Sequence, residues 1–380
     1  DWHLPDDDKF CGDAESHIRL YCSPREVRTV QHFFYRNNGN GTFTDVSGEA
    51  GITSADGAGL GVAGADLNGD GRLDFYVAND GTANQLWINR GDGTFEDGAL
   101  TAGVALSMEG RPEGSMGVGI GDADNDGDPD IVVTNLAGES HALYENLGGQ
   151  QFQDRRLAAG LTAATGRSTG FGTGWLDADH DGRLDLFIAS GAVTRLQHLR
   201  GDPFPYHQKN QLLRNEGGLR FRDVSADAGP GMQLSEVTRG AAFGDVDNDG
   251  DVDVLLTNNG GPLRLLRNDR PPDGRWLGVQ LLGVSDNRQG LGARVDVVFR
   301  DGTTLARRVH TDGSYLSASD PRVHAGLGTG GEVAWVVVEW PRGTRERWRV
   351  PAVGRFVTLK QGTGMPCPAD GAGRESAGGQ

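Results

Sequence analysis

The stretch Asp245-Val-Asp-Asn-Asp-Gly-Asp-Val-Asp253, followed at once by Val254-Leu-Leu-Thr-Asn258, decides how the chain reads. Aspartates stand at alternate positions, a glycine is sixth and a further aspartate ninth. That spacing gathers hard oxygen ligands around one tight turn, and the glycine permits the bend. Calcium takes six to eight such oxygens at about 2.3–2.6 Å. The run that follows is apolar and β-branched, so the turn empties into a strand.

The pattern recurs. Asp66-Leu-Asn-Gly-Asp-Gly-Arg-Leu-Asp74 precedes Phe75-Tyr-Val-Ala-Asn79, and Asp122-Ala-Asp-Asn-Asp-Gly-Asp-Pro-Asp130 precedes Ile131-Val-Val-Thr-Asn135. Asp177-Ala-Asp-His-Asp-Gly-Arg-Leu-Asp185 precedes Leu186-Phe-Ile-Ala-Ser190. The loop starts lie 56, 55 and 68 residues apart. Each loop follows a Gly-rich strand, for example Met116-Gly-Val-Gly-Ile-Gly-Asp122.

The repeating unit is read as opening on a hairpin, first at Phe34-Tyr-Arg-Asn-Asn-Gly-Asn-Gly-Thr-Phe-Thr-Asp-Val46. Its counterparts start at Leu86, Leu143 and Leu212, each with an Asn/Gly turn between apolar residues. Leu265-Leu-Arg-Asn268 opens one more hairpin that is not completed. A period near fifty residues built from short strands marks a propeller blade. The expected fold class is therefore all-β, with about four blade units over 33–270.

From Trp276 the pattern changes. Leu277–Leu282, Ala293–Phe299, Val333–Trp340 and Phe356–Leu359 alternate like strands, giving a separate small β domain over 275–361, expected to be a sandwich. Residues 1–32 read as an irregular Cys-containing segment, and 362–380, rich in Gly, Ala and Ser, as a disordered tail.

At 380 residues the chain can bury a sizeable core. Its formal net charge of −17 argues against a nucleic-acid partner, which needs clustered Lys and Arg. The 61 glycines suit many tight turns. No apolar run approaches a transmembrane span. The sequence starts at Asp1 with no signal peptide, as a mature or truncated product would. Cys11 and Cys22 are expected to form a disulfide, because calcium loops imply an oxidising, extracellular or periplasmic setting. Cys367 stands alone.

These residues resemble the FG-GAP (VCBS-like) calcium-binding propeller repeats known from integrin α-chains. Ser285-Asp-Asn-Arg-Gln-Gly-Leu-Gly-Ala-Arg-Val295, Gly313-Ser-Tyr-Leu-Ser-Ala-Ser-Asp-Pro321, Gly326-Leu-Gly328 and Val338-Glu-Trp-Pro341 resemble the ASPIC/UnbV domain. The order of the two is similar to the cartilage acidic protein family. That resemblance implies a seven-bladed ring, with a segment like Tyr21-Cys-Ser-Pro24 lying mid-chain, so the sequence is expected to lack an N-terminal part of the propeller.

In this reading each loop holds one structural Ca²⁺, about four ions in all, through its first, third, fifth and ninth side chains and the carbonyl of its seventh residue. The ligands are Asp66, Asn68, Asp70 and Asp74 with the Arg72 carbonyl, and Asp122, Asp124, Asp126 and Asp130 with the Asp128 carbonyl. In the later loops they are Asp177, Asp179, Asp181 and Asp185 with the Arg183 carbonyl, and Asp245, Asp247, Asp249 and Asp253 with the Asp251 carbonyl. An EF-hand is excluded, since Val77, Val133, Ile188 and Leu256 stand where that motif needs a bidentate Glu. Asn68 removes a charge and should weaken the first site; His180, at an even position, reads as a bystander.

No catalytic residue is assigned. Gly166-Arg-Ser-Thr-Gly170 lacks the strand–elbow–helix setting of a nucleophilic serine, and Gly59-Leu-Gly-Val-Ala-Gly64 leads into a metal loop, not a phosphate-binding helix. The insertion at Gly191–Gln211, with Arg195, His198, Arg200, Pro203, Phe204, Pro205, Tyr206 and His207, is either a recognition loop or a surface connection. Arg294, Tyr315 and Asp320 are expected in turn-stabilising or interdomain roles. Two functions remain: a secreted binding or adhesion module for a protein or carbohydrate ligand, or an enzyme with a pocket at the propeller axis or the domain boundary.

Overall fold

The computed structural model describes residues 10–13, 17–20, 22–26, 28–195, 205–269, 275–329, 331–350 and 352–367. Among them the architecture is all-β. The first antiparallel sheet runs, from its inner edge outward, through Gly59–Ala65, Asp74–Asn79, Gln85–Asn89 and Phe95–Asp97. The second is Val118–Gly121, Asp130–Val133, Ala142–Asn146 and Phe152–Asp154. The third is Gly170–Leu176, Asp185–Ser190, Gln211–Asn215 and Phe221–Asp223. The fourth has Thr238–Gly244, Asp253–Asn258 and Arg264–Leu266.

In every sheet an aspartate loop joins the two innermost strands, and the hairpin after that loop supplies the outer ones. A repeat counted from the hairpin is thus half a unit out of phase. Short connections favour pairing with the next strand along the chain, as in Phe75 opposite Trp87, Ile131 opposite Tyr144 and Leu186 opposite Leu213. The hairpin Tyr35–Asn37 with Phe43–Asp45 is left as a two-stranded piece. It leans on the first sheet through Phe34, edge-on to Phe75 at 5.8 Å and to Phe95 at 5.4 Å.

Stacking explains the unbroken apolar runs. Successive side chains on a strand point to opposite faces. Ile131 and Val133 enter a core shared with the first sheet, whereas Val132 enters one shared with the third. Leu186 and Ile188 face the second sheet, and Phe187 faces the fourth. Each such burial stabilises by roughly 1.5–3 kcal/mol. The innermost strands of neighbouring sheets lie side by side, so the sheets splay like sectors of a fan. Backbones meet there: a Cβ on Gly61 would come 2.3 Å from the Met116 carbonyl, and one on Gly117 would come 2.0 Å from that of Phe171.

The C-terminal domain pairs a five-stranded sheet, ordered Thr304–Arg308, Arg294–Phe299, Val333–Glu339, Arg345–Trp348 and Met365–Pro366, with a three-stranded one. The latter is Val323–Gly328, Arg275–Leu282 and Phe356–Lys360, the last two parallel. Leu277, Val279, Val295, Val297, Val336 and Trp340 fill the core between them. The expected tail needs correction: Gly362 and Gly364 donate to the Glu346 carboxylate, which draws Met365–Pro366 into the sheet. The remainder, 368–380, lies outside the described residues.

Residues 310–320 of this domain cross the inner strands of all four sheets. Asp312 accepts from the Gly64 amide at 2.6 Å, and Ser314 bridges to Val118. The Ser314 hydroxyl donates to the Ala241 carbonyl and accepts from the Thr173 amide. Tyr315 meets Phe171 edge-on at 5.0 Å, and the Asp320 amide donates to the Phe243 carbonyl.

Of the N-terminal segment, Cys11 and Cys22 are disulfide-bonded with Cα atoms 5.0 Å apart, and Val30–Gln31 pairs with Asp56–Gly57. Tyr21 lies outside the described residues. So do His198, Arg200, Pro203 and Phe204 of the insertion, where Arg195 sits over the Tyr206 ring and the Ala192 amide donates to the Tyr206 carbonyl.

Candidate metal centre

The four loops share one hydrogen-bonded shape. The first aspartate accepts from the amide of the sixth-position glycine: Gly71 to Asp66, Gly127 to Asp122, Gly182 to Asp177 and Gly250 to Asp245, at 2.7, 3.2, 2.9 and 2.9 Å. The fifth accepts from the seventh amide: Arg72 to Asp70, Asp128 to Asp126, Arg183 to Asp181 and Asp251 to Asp249, at 2.9–3.0 Å. Short aspartate side chains are what make these turns possible.

In the last three loops, but not in the first, where Asn68 replaces an aspartate, this shape turns three carboxylates toward one point. Oxygens of Asp122, Asp124 and Asp126, of Asp177, Asp179 and Asp181, and of Asp245, Asp247 and Asp253 lie within 4.8 Å of one another in each set. Asp122 Oδ1 is buried and has no hydrogen-bond partner among the described residues. An all-oxygen donor set with an orphaned carboxylate oxygen suits a hard divalent cation of the calcium or magnesium class.

The ninth aspartate does a second job. Both its oxygens accept backbone amides, one from the second residue of its own loop and one from an asparagine in the following hairpin. Asp74 takes Leu67 and Asn89, and Asp130 takes Ala123 and Asn146. Asp185 takes Ala178 and Asn215, and Asp253 takes Val246 and Asn268. Burial pushes Asp130 up to about 8, Asp185 to about 7 and Asp74 to about 6. Burial likewise raises Asp122 and Asp177 to about 6.

The hairpin asparagines were not singled out from sequence, although their recurrence in each hairpin is the signal that finds them. Their side-chain amides staple neighbouring sheets. Asn146 donates to the Leu67 carbonyl at 3.2 Å, Asn215 to that of Ala123 at 2.7 Å and Asn268 to that of Ala178 at 3.1 Å. Each acceptor is the second residue of the preceding loop.

The loops differ in charge. In the first, Asn68 donates to Asp70, and the Arg72 guanidinium pairs with the same carboxylate at 2.5 Å. In the third, Arg183 pairs with Asp181. The second and fourth have aspartates, Asp128 and Asp251, at that seventh position. In the fourth, however, Arg267 lies 2.7 Å from Asp247.

Comparison with known proteins fits this geometry. An FG-GAP-like repeat model matches residues 30–77, 66–133 and 122–188, and an ASPIC and UnbV model matches 283–366. The chain carries FG-GAP-like repeats followed by an ASPIC and UnbV domain. It is 29% identical to human cartilage acidic protein 1 over 79% of its length, and 27% identical to that of Xenopus tropicalis over 79%. The chain spans 43–44% of the length of these relatives. Among solved structures it is similar to an Agrocybe aegerita lectin that recognises non-reducing terminal N-acetylglucosamine, at 20% identity and TM-score 0.33, covering 62% of this chain and 60% of that one. A Bacillus licheniformis rhamnogalacturonan lyase aligns at 14% identity and TM-score 0.34, over 82% of this chain and 57% of the other.

The matched FG-GAP repeats take in the first three loops. The fourth, Asp245–Asp253, obeys the same hydrogen-bond rules, so the structure extends the repeat by one copy. His180 makes its contacts outside its own loop: it is 1% exposed, and its Nε2 lies 3.1 Å from the Gly250 carbonyl and 3.0 Å from Asp251 of the next loop. Its ring faces His324 of the ASPIC and UnbV domain at 5.0 Å. The Ser168 hydroxyl of Gly166–Gly170 lies 2.8 Å from Gln211 Oε1 and 3.0 Å from the Thr165 carbonyl, either of which can accept its one proton. Between the sheets and the C-terminal domain lies a cavity of about 510 Å³, lined by Asp122, Asp177, Arg307, Arg308, His310 and His324. Burial, with His180 adding to it, pushes His324 down to about 3, so that ring is neutral.

Proposed function

We propose that the four aspartate loops bind calcium as structural ions, and that the protein is a secreted binding or adhesion module for a protein or carbohydrate ligand. The observation that carries the cation reading is the convergence of three carboxylates to within 4.8 Å in three successive loops. Such groups repel unless a cation sits among them, so cation binding becomes folding free energy. The Cys11–Cys22 disulfide supports an extracellular or periplasmic setting. Among the described residues no helix is long and apolar enough to cross a membrane.

Calorimetric titration of calcium into dialysed protein tests the ion, with a melting curve in parallel. Binding that raises the melting temperature is expected; a flat titration and an unmoved curve would end the reading. The interdomain cavity favours a second reading, an enzyme or small-ligand receptor, because His, Arg and Asp side chains converge there. A thermal-shift screen with neutral and acidic sugars separates the two. A hit abolished by His324→Ala assigns the ligand to the cavity, and one indifferent to it assigns the outer surface.

A further inference from the structure

The aspartate loops are tied to one another and to the C-terminal domain through one recurring atom, the carbonyl of the sixth-position glycine. The fourth residue of each of the last three loops is left-handed, with φ of 61° at Asn125, 60° at His180 and 62° at Asn248. In that conformation the Asn125 amide crosses to the next loop and donates to the Gly182 carbonyl at 3.2 Å. His180 reaches the Gly250 carbonyl in the same way. The first loop has Gly69 at this place and no side chain to send. Arg294 of the C-terminal domain supplies the missing donor, reaching the Gly127 carbonyl at 2.7 Å.

Three further arginines of that domain complete the pattern. Arg308 donates to the Gly64 carbonyl, just before the first loop. Arg307 spans the second and third loops, donating to Asn125 Oδ1 at 3.2 Å and to the Gly182 carbonyl at 2.9 Å. Arg322 holds the fourth, donating to Asn248 Oδ1 and to the Asp245 carbonyl, both at 2.6 Å. The Gly328 amide adds a bond to the His180 carbonyl at 2.8 Å.

The sixth-residue carbonyl shares a rigid peptide plane with the seventh-residue amide. That amide is held by the fifth aspartate, at 2.9 Å for Asp126 and Asp181 and 3.0 Å for Asp249. A cation that fixes the fifth aspartate therefore fixes the direction of the carbonyl to which the arginines and the neighbouring loop donate. We propose that the C-terminal domain is a cation-controlled latch: calcium in the loops closes it onto the fan of sheets, and its arginines couple the loops so that the ions bind cooperatively. This rests on the calcium reading above. Charge alone predicts the opposite, because a cation-free loop is more negative and attracts guanidinium groups more strongly; the geometry and the charge are thus separable by experiment.

The test is hydrogen exchange on the whole chain during a calcium titration, with calorimetry on the same samples. The probes are the amides of Gly328, Ser314 and Asp320, which donate across the interface to His180, Val118 and Phe243. Calcium is expected to slow their exchange about tenfold or more. Asn125→Gly, which keeps the left-handed backbone unstrained, and Arg322→Gln should each weaken calcium binding roughly fivefold and flatten its cooperativity. If calorimetry reports bound calcium while these amides exchange unchanged or faster, the latch is overturned and the calcium reading stands. Wild-type titrations from both variants also overturn it. If no calcium binds at all, both readings fall together.

Discussion

Asn215 shows how much one residue type does in this molecule. It is fully buried, and its amide reaches the Ala123 carbonyl of the preceding loop and the Leu184 carbonyl of its own at 2.7 and 3.0 Å. Asn215→Ala leaves two buried carbonyls unpaired and is expected to cost about 1–3 kcal/mol in urea unfolding. Asn37, at the same place in the two-stranded hairpin, is exposed and only closes its own turn onto the Gly39 amide. Asn37→Ala should stay within about 0.5 kcal/mol. Equal losses in the two variants would refute the stapling role. His180 carries the complementary lesson. Its even position in the loop says it points away from an ion, but sequence gives no view of the neighbouring loop whose carbonyl it meets.

At the scale of the loop and its two strands, charge and burial set the predictions. Three of the ninth-position carboxylates are raised in the folded chain, Asp130 to about 8, Asp185 to about 7 and Asp74 to about 6, by burial first. An unfolded Asp titrates near 3.9, so between about pH 4 and pH 8 the folded chain without cations binds more protons than the unfolded one. Its stability therefore falls as pH rises through that window. Calcium competes with those protons, so the trend should flatten or reverse when the ion is saturating. Melting temperatures of dialysed protein at pH 5 and pH 8, with and without calcium, check this; a cation-free protein more stable at pH 8 would contradict it. The loops should also differ. Asp70 is already paired with the Arg72 guanidinium and accepts from Asn68, whereas Asp126 has an aspartate, Asp128, at the seventh position of its loop. Asp126→Ala should lower calcium-dependent stabilisation several-fold more than Asp70→Ala, measured as the calcium-induced shift in melting temperature.

The aspartate loops and the apolar strands behind them were legible because their period is short and local. The strands Thr304–Arg308 and Val323–Gly328 were not. Arg307, Arg308 and His324 break the expected alternation because they leave their own domain's core and turn to the loops. No local pattern announces a contact of that sequence separation. The strand Met365–Pro366 was hidden likewise, since Gly and Pro argue for a tail unless Glu346 is known to wait for the glycine amides.

In the whole molecule the ions and the C-terminal domain act on one interface, so losing either should be felt everywhere. Chelation of the intact chain is expected to lower the melting temperature by about 5–10 °C or more, on a transition that includes the C-terminal domain. A C-terminal transition indifferent to chelator would separate the two. The Cys11–Cys22 link closes only a separation of 11 residues, and its described contacts are at the N-terminal segment. Replacing both cysteines with serine should leave the main transition nearly unmoved while speeding local proteolysis.

Tyr35 occupies the place held in the stacked sheets by Trp87, Tyr144 and Leu213, which are 2%, 1% and 0% exposed, yet it is itself 55% exposed. Phe33 and Phe43 beside it are similarly uncovered, and among the described residues their hairpin pairs with no third strand. A bare edge studded with aromatic rings is an adhesive strip. At the concentrations used for purification, molecules should zip together along it, and Tyr35→Lys should restore monodispersity on a sizing column without changing how the rest of the protein melts.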